Sequence, residues 1–125
     1  MNQDKLEQLY AYIKANVAPI IVDFISAQDI SNALIIDAAN NPDLSGHFTD
    51  TLYLPPEWFN KINNKVILVI DNLDKISKKE QLKFKELLKY KKISTFNLPE
   101  DMRILVTVEN KEDLNEEIYS LLIGL

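Results

Sequence analysis

The chain contains no cysteine. Disulfides, thiolate zinc centres and cysteine nucleophiles are thereby excluded. There is one histidine, His47, so a multi-histidine metal site is excluded too. Only two glycines occur, Gly46 and Gly124. Neither a G-x-x-x-x-G-K-[ST] phosphate loop nor a G-x-G-x-x-G turn can be built from that pair. No apolar run reaches the roughly 18 residues of a membrane span. The start, Met1-Asn2-Gln3-Asp4-Lys5, lacks the basic and apolar stretches of a secretion signal. These absences predict a cytoplasmic protein with no membrane partner.

What remains is the profile of one soluble globular domain spanning residues 1–125. Its 46% hydrophobic content is enough for a single sizeable core, and no linker or repeat divides it. The net charge of −5 is unevenly spread. Residues 1–60 carry two lysines and eight acids, residues 61–92 ten lysines and four acids, and residues 93–125 two basic and seven acidic groups. The basic block centres on Lys75, Lys78, Lys79, Lys83, Lys85, Lys89, Lys91 and Lys92. It reads either as a contact patch for phosphates or an acidic partner, or as a solvated helix face with Glu80 and Glu86 interleaved.

Hydrophobic periodicity organises the chain. Leu6, Leu9, Tyr10, Ile13 and Val17 predict an amphipathic helix over 4–17, stopped by Pro19. Residues 20–25 predict a short buried strand. Asp29 as N-cap, with Ile30, Ala33, Leu34, Ile36 and Ala38, predicts a second helix, with a strand at 34–36 as the alternative. Asn40-Asn41-Pro42-Asp43 is a turn signal. A short strand at 51–54 and a short helix at 57–63, with Trp58 and Phe59 inward, follow. Val66 to Ile70 is a continuous apolar run ending in Asp71, the pattern of a strand buried on both faces of a parallel sheet. Ser77-Lys78-Lys79-Glu80 is a capping box opening a helix to about Lys91, with Leu82, Phe84, Leu87 and Leu88 as its apolar members. Residues 98–101 form a turn, 103–108 a second buried strand, and 111–123 a last helix with Gly124 placed to end it. Strands alternating with helices imply an α/β fold: a three-layer, mostly parallel sheet flanked by helices.

Val66-Ile67-Leu68-Val69-Ile70-Asp71, continued by Asn72-Leu73-Asp74-Lys75-Ile76, resembles the Walker B element of P-loop NTPases and its continuation in AAA+ proteins. Ile104 to Asn110 resembles the sensor-1 strand of that superfamily. The connecting stretch, Phe84 to Leu88 through Asn97 to Asp101, is similar to clamp-loader subunits and MoxR-type ATPases, and Asn41 to Gly46 loosely resembles a MoxR-type segment. The likeness covers residues 40–115, and 4–40 in layout. It implies an AAA+-like core in which Asp71, Asn72 and Asn110 occupy vestigial nucleotide-site positions.

The departures from the family pattern are as informative. Where the phosphate cradle is expected, Ile25-Ser26-Ala27-Gln28-Asp29-Ile30-Ser31 has neither glycine nor lysine, and Asp29 adds a repelling charge. Asn72 stands in place of the catalytic glutamate and cannot accept a proton from water. Glu109-Asn110 is one residue out of the usual sensor-1 register. The chain as given has no helical lid after residue 125. Phosphate cradle, water activation and lid fail together, so the resemblance implies a degenerate core without ATPase activity or cofactor.

Other residues carry weaker signals. His47 lacks relay partners, and Asp43 with Asp50 has no recognisable catalytic spacing. Tyr53, Trp58 and Phe59 beside Pro55-Pro56 read as core packing or as an aromatic contact site. Tyr90 and Phe96 near lysines read as base-stacking groups or as packing. Three functions remain open. One is a noncatalytic interaction or scaffold module whose partner is itself or a true AAA+ ATPase. The second is a replication-associated nucleic-acid-binding accessory resembling clamp-loader subunits, contacting phosphates through Lys78, Lys79, Lys83, Lys85, Lys89, Lys91 and Lys92. The third is an enzyme or nucleotide binder with a site near Ser26, Asp71, Asn72 and Asn110.

Overall fold

The computed structural model describes residues 3–15, 18–62 and 65–124. Its core is a five-stranded, all-parallel sheet. The strands are β1 (Ile20–Val22), β2 (Ala33–Asp37), β5 (Ile67–Asp71), β8 (Arg103–Thr107) and β9 (Ile123–Gly124), in the spatial order β2-β5-β8-β1-β9. Two short hairpins accompany it: β3 (His47–Phe48) with β4 (Tyr53–Leu54), and β6 (Lys92–Ile93) with β7 (Phe96–Asn97). Among the described residues no helix is long and apolar enough to cross a membrane.

The apolar run of β5 is explained by burial on both faces. Ile67 and Val69 point to one side with Ile20, Val22 and Leu105, under helix α1 (Gln3–Ala15) through its Leu9 and Ile13. Leu68 and Ile70 point to the other side with Ile21, Ile36, Ile104 and Val106. That side is closed by Phe84, Leu87, Leu88 and Ile118. These come from the consecutive turns α2 (Lys78–Gln81), a 3-10 turn (Leu82–Phe84) and α3 (Lys85–Tyr90), and from α4 (Glu116–Tyr119).

Several expectations are met, and others are corrected. The first helix ends at Ala15, and Val17 lies outside the described residues. The first strand is three residues long, ending at Val22. The expected helix over 29–38 is instead strand β2, preceded by a 3-10 turn at Ala27–Asp29. Asn32 takes a left-handed conformation (φ 55°) that breaks any helix there, and Leu34-Ile35-Ile36 then pairs along β5. A 3-10 turn occupies Glu57–Lys61, with Trp58 and Phe59 packed against the core, and Asn63 lies outside the described residues. Ser77 caps α2 by accepting from the Glu80 amide at 3.1 Å. Of the helix's apolar members, Phe84, Leu87 and Leu88 are buried, whereas Leu82 is 36% exposed.

The expected helix over 111–123 is broken. Leu114 is extended, Asn115 starts a new turn by accepting from the Glu117 amide at 2.8 Å, and the chain re-enters the sheet at Ile123. Gly124 therefore sits in edge strand β9 rather than ending a helix. The break is held by Gln81, which is fully buried. Its amide donates to the carbonyls of Ile76 (3.1 Å) and Asp113 (2.9 Å), and its oxygen accepts from the Asn115 amide (2.6 Å). Gly46 is needed where it stands: its φ is +83°, and a Cβ would overlap the Leu54 carbonyl across the β3–β4 hairpin.

Candidate functional site at the strand ends

All five strands point the same way, so their carboxyl ends form one rim. The register places Asp71 beside Thr107, and Thr107 beside Val22. Open α/β sheets bind ligands at this edge. A cleft of about 420 Å³ opens there, between the 23–28 segment and the strand-end residues Asp71, Asn72, Thr107, Val108 and Glu109.

Most of the polar side chains at the rim are held by structural partners. Thr107, buried, donates through Oγ1 to Asp71 Oδ1 at 2.8 Å. Asn72 adopts a left-handed conformation (φ 61°, ψ 25°), which asparagine tolerates better than most residues. Its Nδ2 donates to Asp37 Oδ1 at 2.8 Å, an oxygen that also accepts from the Ala39 amide at 3.0 Å. Ser26 Oγ donates to Gln28 Oε1 at 2.6 Å. Buried Asp74 accepts through Oδ2 from the amides of Glu109 (3.1 Å) and Asn110 (3.0 Å), clamping the loop that leaves β8. Its other oxygen, Oδ1, is buried without a hydrogen-bond partner.

Among the described residues the cleft is lined by three carboxylate residues, Asp23, Asp71 and Glu109, and by no lysine or arginine. Lys75 binds Glu109 Oε2 at 2.8 Å. That hydrogen bond holds the Lys75 ammonium above the ordinary lysine range, with the charges of Glu109, Asp74 and Asp113 adding to it. Among the described residues no group of three or more His, Cys, Asp or Glu side chains is placed to hold a metal ion.

The structure brings Ser26, Asp71 and Asn72 together in the cleft. It does not bring Asn110 there. Glu109 lines the cleft instead, and the Asn110 amide is spent on Asp74. The signal for this was the one-residue register offset in the sequence. Asp37 and Gln81 carry no local motif, and Asp74 stands in the Walker B-like continuation without a role implied by it. Their partners lie between 32 and 36 residues away, apart from Gln81's bond to Ile76 and Asp37's to Ala39.

The basic block is partly neutralised. Lys75, Lys83 and Lys85 pair with Glu109, Glu80 and Glu117 at 2.8, 3.2 and 3.0 Å. Lys83 also donates to Asn41 Oδ1, and Lys91 to the Glu100 carbonyl at 2.8 Å. Burial, then the nearby Arg103 charge, pushes the Lys91 ammonium below its usual range. Lys78, Lys79, Lys89 and Lys92 make no ion pair among the described residues, though Lys89 and Lys92 lie 5.4 and 5.7 Å from the Tyr90 ring. Tyr90 is exposed, whereas Phe96 packs on Tyr53 (5.6 Å) and Phe59 (5.9 Å), so the two do not form one stacking platform.

His47 is exposed on β3. The Asp43 carboxylate accepts from the amides of Ser45 and Gly46 at 3.0 and 3.1 Å and from Ser45 Oγ at 3.3 Å. These bonds, the Ser45 amide first, stitch a turn and hold the Asp43 carboxyl pKa below the ordinary carboxylate range. Tyr53 donates its hydroxyl to the Ser45 carbonyl, and Trp58 its Nε1–H to the Asp43 carbonyl at 2.6 Å. No protein-family model matches the chain, and no curated protein matches it.

Proposed function

We propose that this chain is a noncatalytic AAA+-like module that acts by binding a protein partner, either itself or a true AAA+ ATPase. The observation that carries this reading is the chemistry of the strand-end cleft. Three carboxylate residues line it and no cation does, while Asn72, at the position the resemblance assigns to water activation, is engaged by Asp37. A unit charge about 6 Å from a phosphate charge repels it by roughly 1 kcal/mol or more at a half-solvated site. Asp23 and Asp71 both act this way, while the Glu109 charge is compensated by Lys75. The resemblance requires the cradle, Walker B and sensor-1 strands to be neighbours. The order β5-β8-β1 supports it on that point.

The alternative, a replication-associated nucleic-acid accessory, has less support. Two of the seven lysines it needs, Lys83 and Lys85, are paired to glutamates, and the aromatic groups beside the block are separated.

Thermal unfolding followed on Trp58 fluorescence, with ATP or ADP and with or without Mg²⁺, tests the proposal. A ligand at a hundredfold excess over its dissociation constant stabilises by about 2.7 kcal/mol. For a domain of this size that is a rise of about 10 °C. A flat response is expected; a saturable rise would remove the noncatalytic reading.

A further inference from the structure

The sheet has two edges, and they differ. At one, β9 is two residues long, and Tyr12 donates its hydroxyl to the Gly124 carbonyl there at 3.3 Å. At the other, β2 runs five residues, Ala33–Asp37. Its inner side is set by the parallel register, Ala33 with Ile67, and by the Ile67 amide reaching the Asn32 carbonyl. In such a ladder the backbone groups of alternate residues face the neighbouring strand. Residues 32, 34 and 36 therefore turn toward β5, and Ala33, Ile35 and Asp37 turn their N–H groups outward.

Among the described residues no backbone hydrogen bond is made to the N–H or C=O of Ala33 or Ile35. The Ile35 side chain is 38% exposed beside them. Edge strands are ordinarily blunted by lysine, proline, a bulge or an inward charge. β2 has none of these, and its one charge, Asp37, stands at its end.

We propose that this edge pairs with the same edge of a second copy of the chain, antiparallel about a two-fold axis at Ile35, so that two sheets become one. Ile35 and the partner's Ile35 exchange two backbone hydrogen bonds. Each Asp37 amide donates to the partner's Ala33 carbonyl, for a total of about four across the axis. Charge placement selects this arrangement. In the antiparallel register the two Asp37 residues lie about 13 Å apart, at roughly 3.3 Å per residue. That exceeds the Debye length of about 8 Å at physiological salt. A parallel pairing would set them side by side, about 5 Å apart. The two-fold uses the β2 edge of both chains, so this contact closes at two chains and leaves only the short β9 edges outermost.

The pairing gives the interaction-module reading its partner and rests on it, yet the two fail separately. Nucleotide binding would remove the noncatalytic reading and leave the dimer standing. A monomeric chain that ignores nucleotide would remove the dimer alone.

Sedimentation equilibrium from micromolar to millimolar chain is the first test. The native chain forms a dimer, and Ile35→Lys, a change at a half-exposed side chain, raises the dissociation constant at least tenfold with an unchanged far-ultraviolet spectrum. The second test uses the absence of native cysteine. An Ile35→Cys chain forms a disulfide dimer under mild oxidation, because hydrogen-bonded antiparallel pairs hold their Cα atoms about 5.5 Å apart, inside the disulfide range. A Leu82→Cys chain, altered at a comparably exposed apolar site on the helical side, does not. A native chain that stays monomeric, a dimer indifferent to Ile35→Lys, open-ended polymers, or equal cross-linking at both cysteines would each overturn the proposal. If the Ile35→Lys chain fails to fold, the cysteine pair decides alone.

Discussion

Restoring a glutamate at position 72 is the substitution that the AAA+ resemblance invites, and the structure predicts that it fails. Asn72→Glu removes the hydrogen bond from Nδ2 to Asp37. A bond to a carboxylate is worth about 1.5–3 kcal/mol in general, and the exposure of Asp37 reduces this to about 1. The backbone at 72 is left-handed, with φ 61°. That costs an ordinary residue about 1 kcal/mol, a cost asparagine largely escapes. The new carboxylate also faces Asp37, adding about 1 kcal/mol of repulsion at roughly 5 Å in a half-solvated setting. The sum, about 3 kcal/mol, lowers the melting temperature by about 10 °C. Asn72→Gly separates the contributions, since it keeps the left-handed backbone without strain and loses only the hydrogen bond, about 1 kcal/mol. Urea or thermal unfolding of the three chains, with a phosphate-release assay alongside, reads both effects. A fully stable Asn72→Glu chain, or one that hydrolyses ATP, would refute the reasoning.

Two further perturbations follow from buried and turn-forming polar groups. Gln81→Leu leaves the Ile76 and Asp113 carbonyls and the Asn115 amide without their partner. At about 1 kcal/mol for each bond this costs about 3 kcal/mol, read as a lower urea midpoint with unchanged slope; a loss under about 1 kcal/mol would show that the bonds are replaced by water. Asp43 is held more acidic in the fold than in the unfolded chain. Its contribution is therefore present above the unfolded value and lost as pH falls through the folded one. The melting-temperature gap between the native chain and Asp43→Ala should be widest near neutral pH and shrink below about pH 4. A gap that does not change with pH would remove the charge from the account.

The parts of the fold visible in the sequence are those decided locally. Leu6, Leu9, Tyr10 and Ile13 line one side of a helix whatever packs on it. Val69 and Leu105 lie in runs that only a two-sided burial explains, and Ser77 with Glu80 announces a helix start. The parts that were not visible are decided by partners far along the chain. Ile30, Ala33, Leu34 and Ile36 satisfy a helical spacing as well as a strand, and pairing with β5 settles the matter. Leu114, Ile118 and Leu121 fit one helix by spacing, yet Gln81, more than 30 residues earlier, takes the amide of Asn115 and breaks it there. An asparagine followed by two glutamates was the available sign of a new N-terminus.

The site divides in the same way. Asp71 at the end of its strand was legible from the apolar run before it. The clamp of Asp74 on the Glu109 and Asn110 amides, and the bond from Asn72 to Asp37, exist only because parallel pairing lines up strand ends remote in sequence. That alignment also turned a one-residue offset in the sequence into Glu109, rather than Asn110, at the cleft.

The most direct measurement is a titration of Mg-ATP into ¹⁵N-labelled protein, following the amides of Ser26, Ala27, Gln28, Asn72, Thr107 and Glu109. A cleft lined by carboxylates and closed by its own hydrogen bonds predicts that none of these signals moves saturably. Saturable shifts confined to those six amides would mean that the strand ends hold nucleotide without a phosphate loop, and would contradict the account.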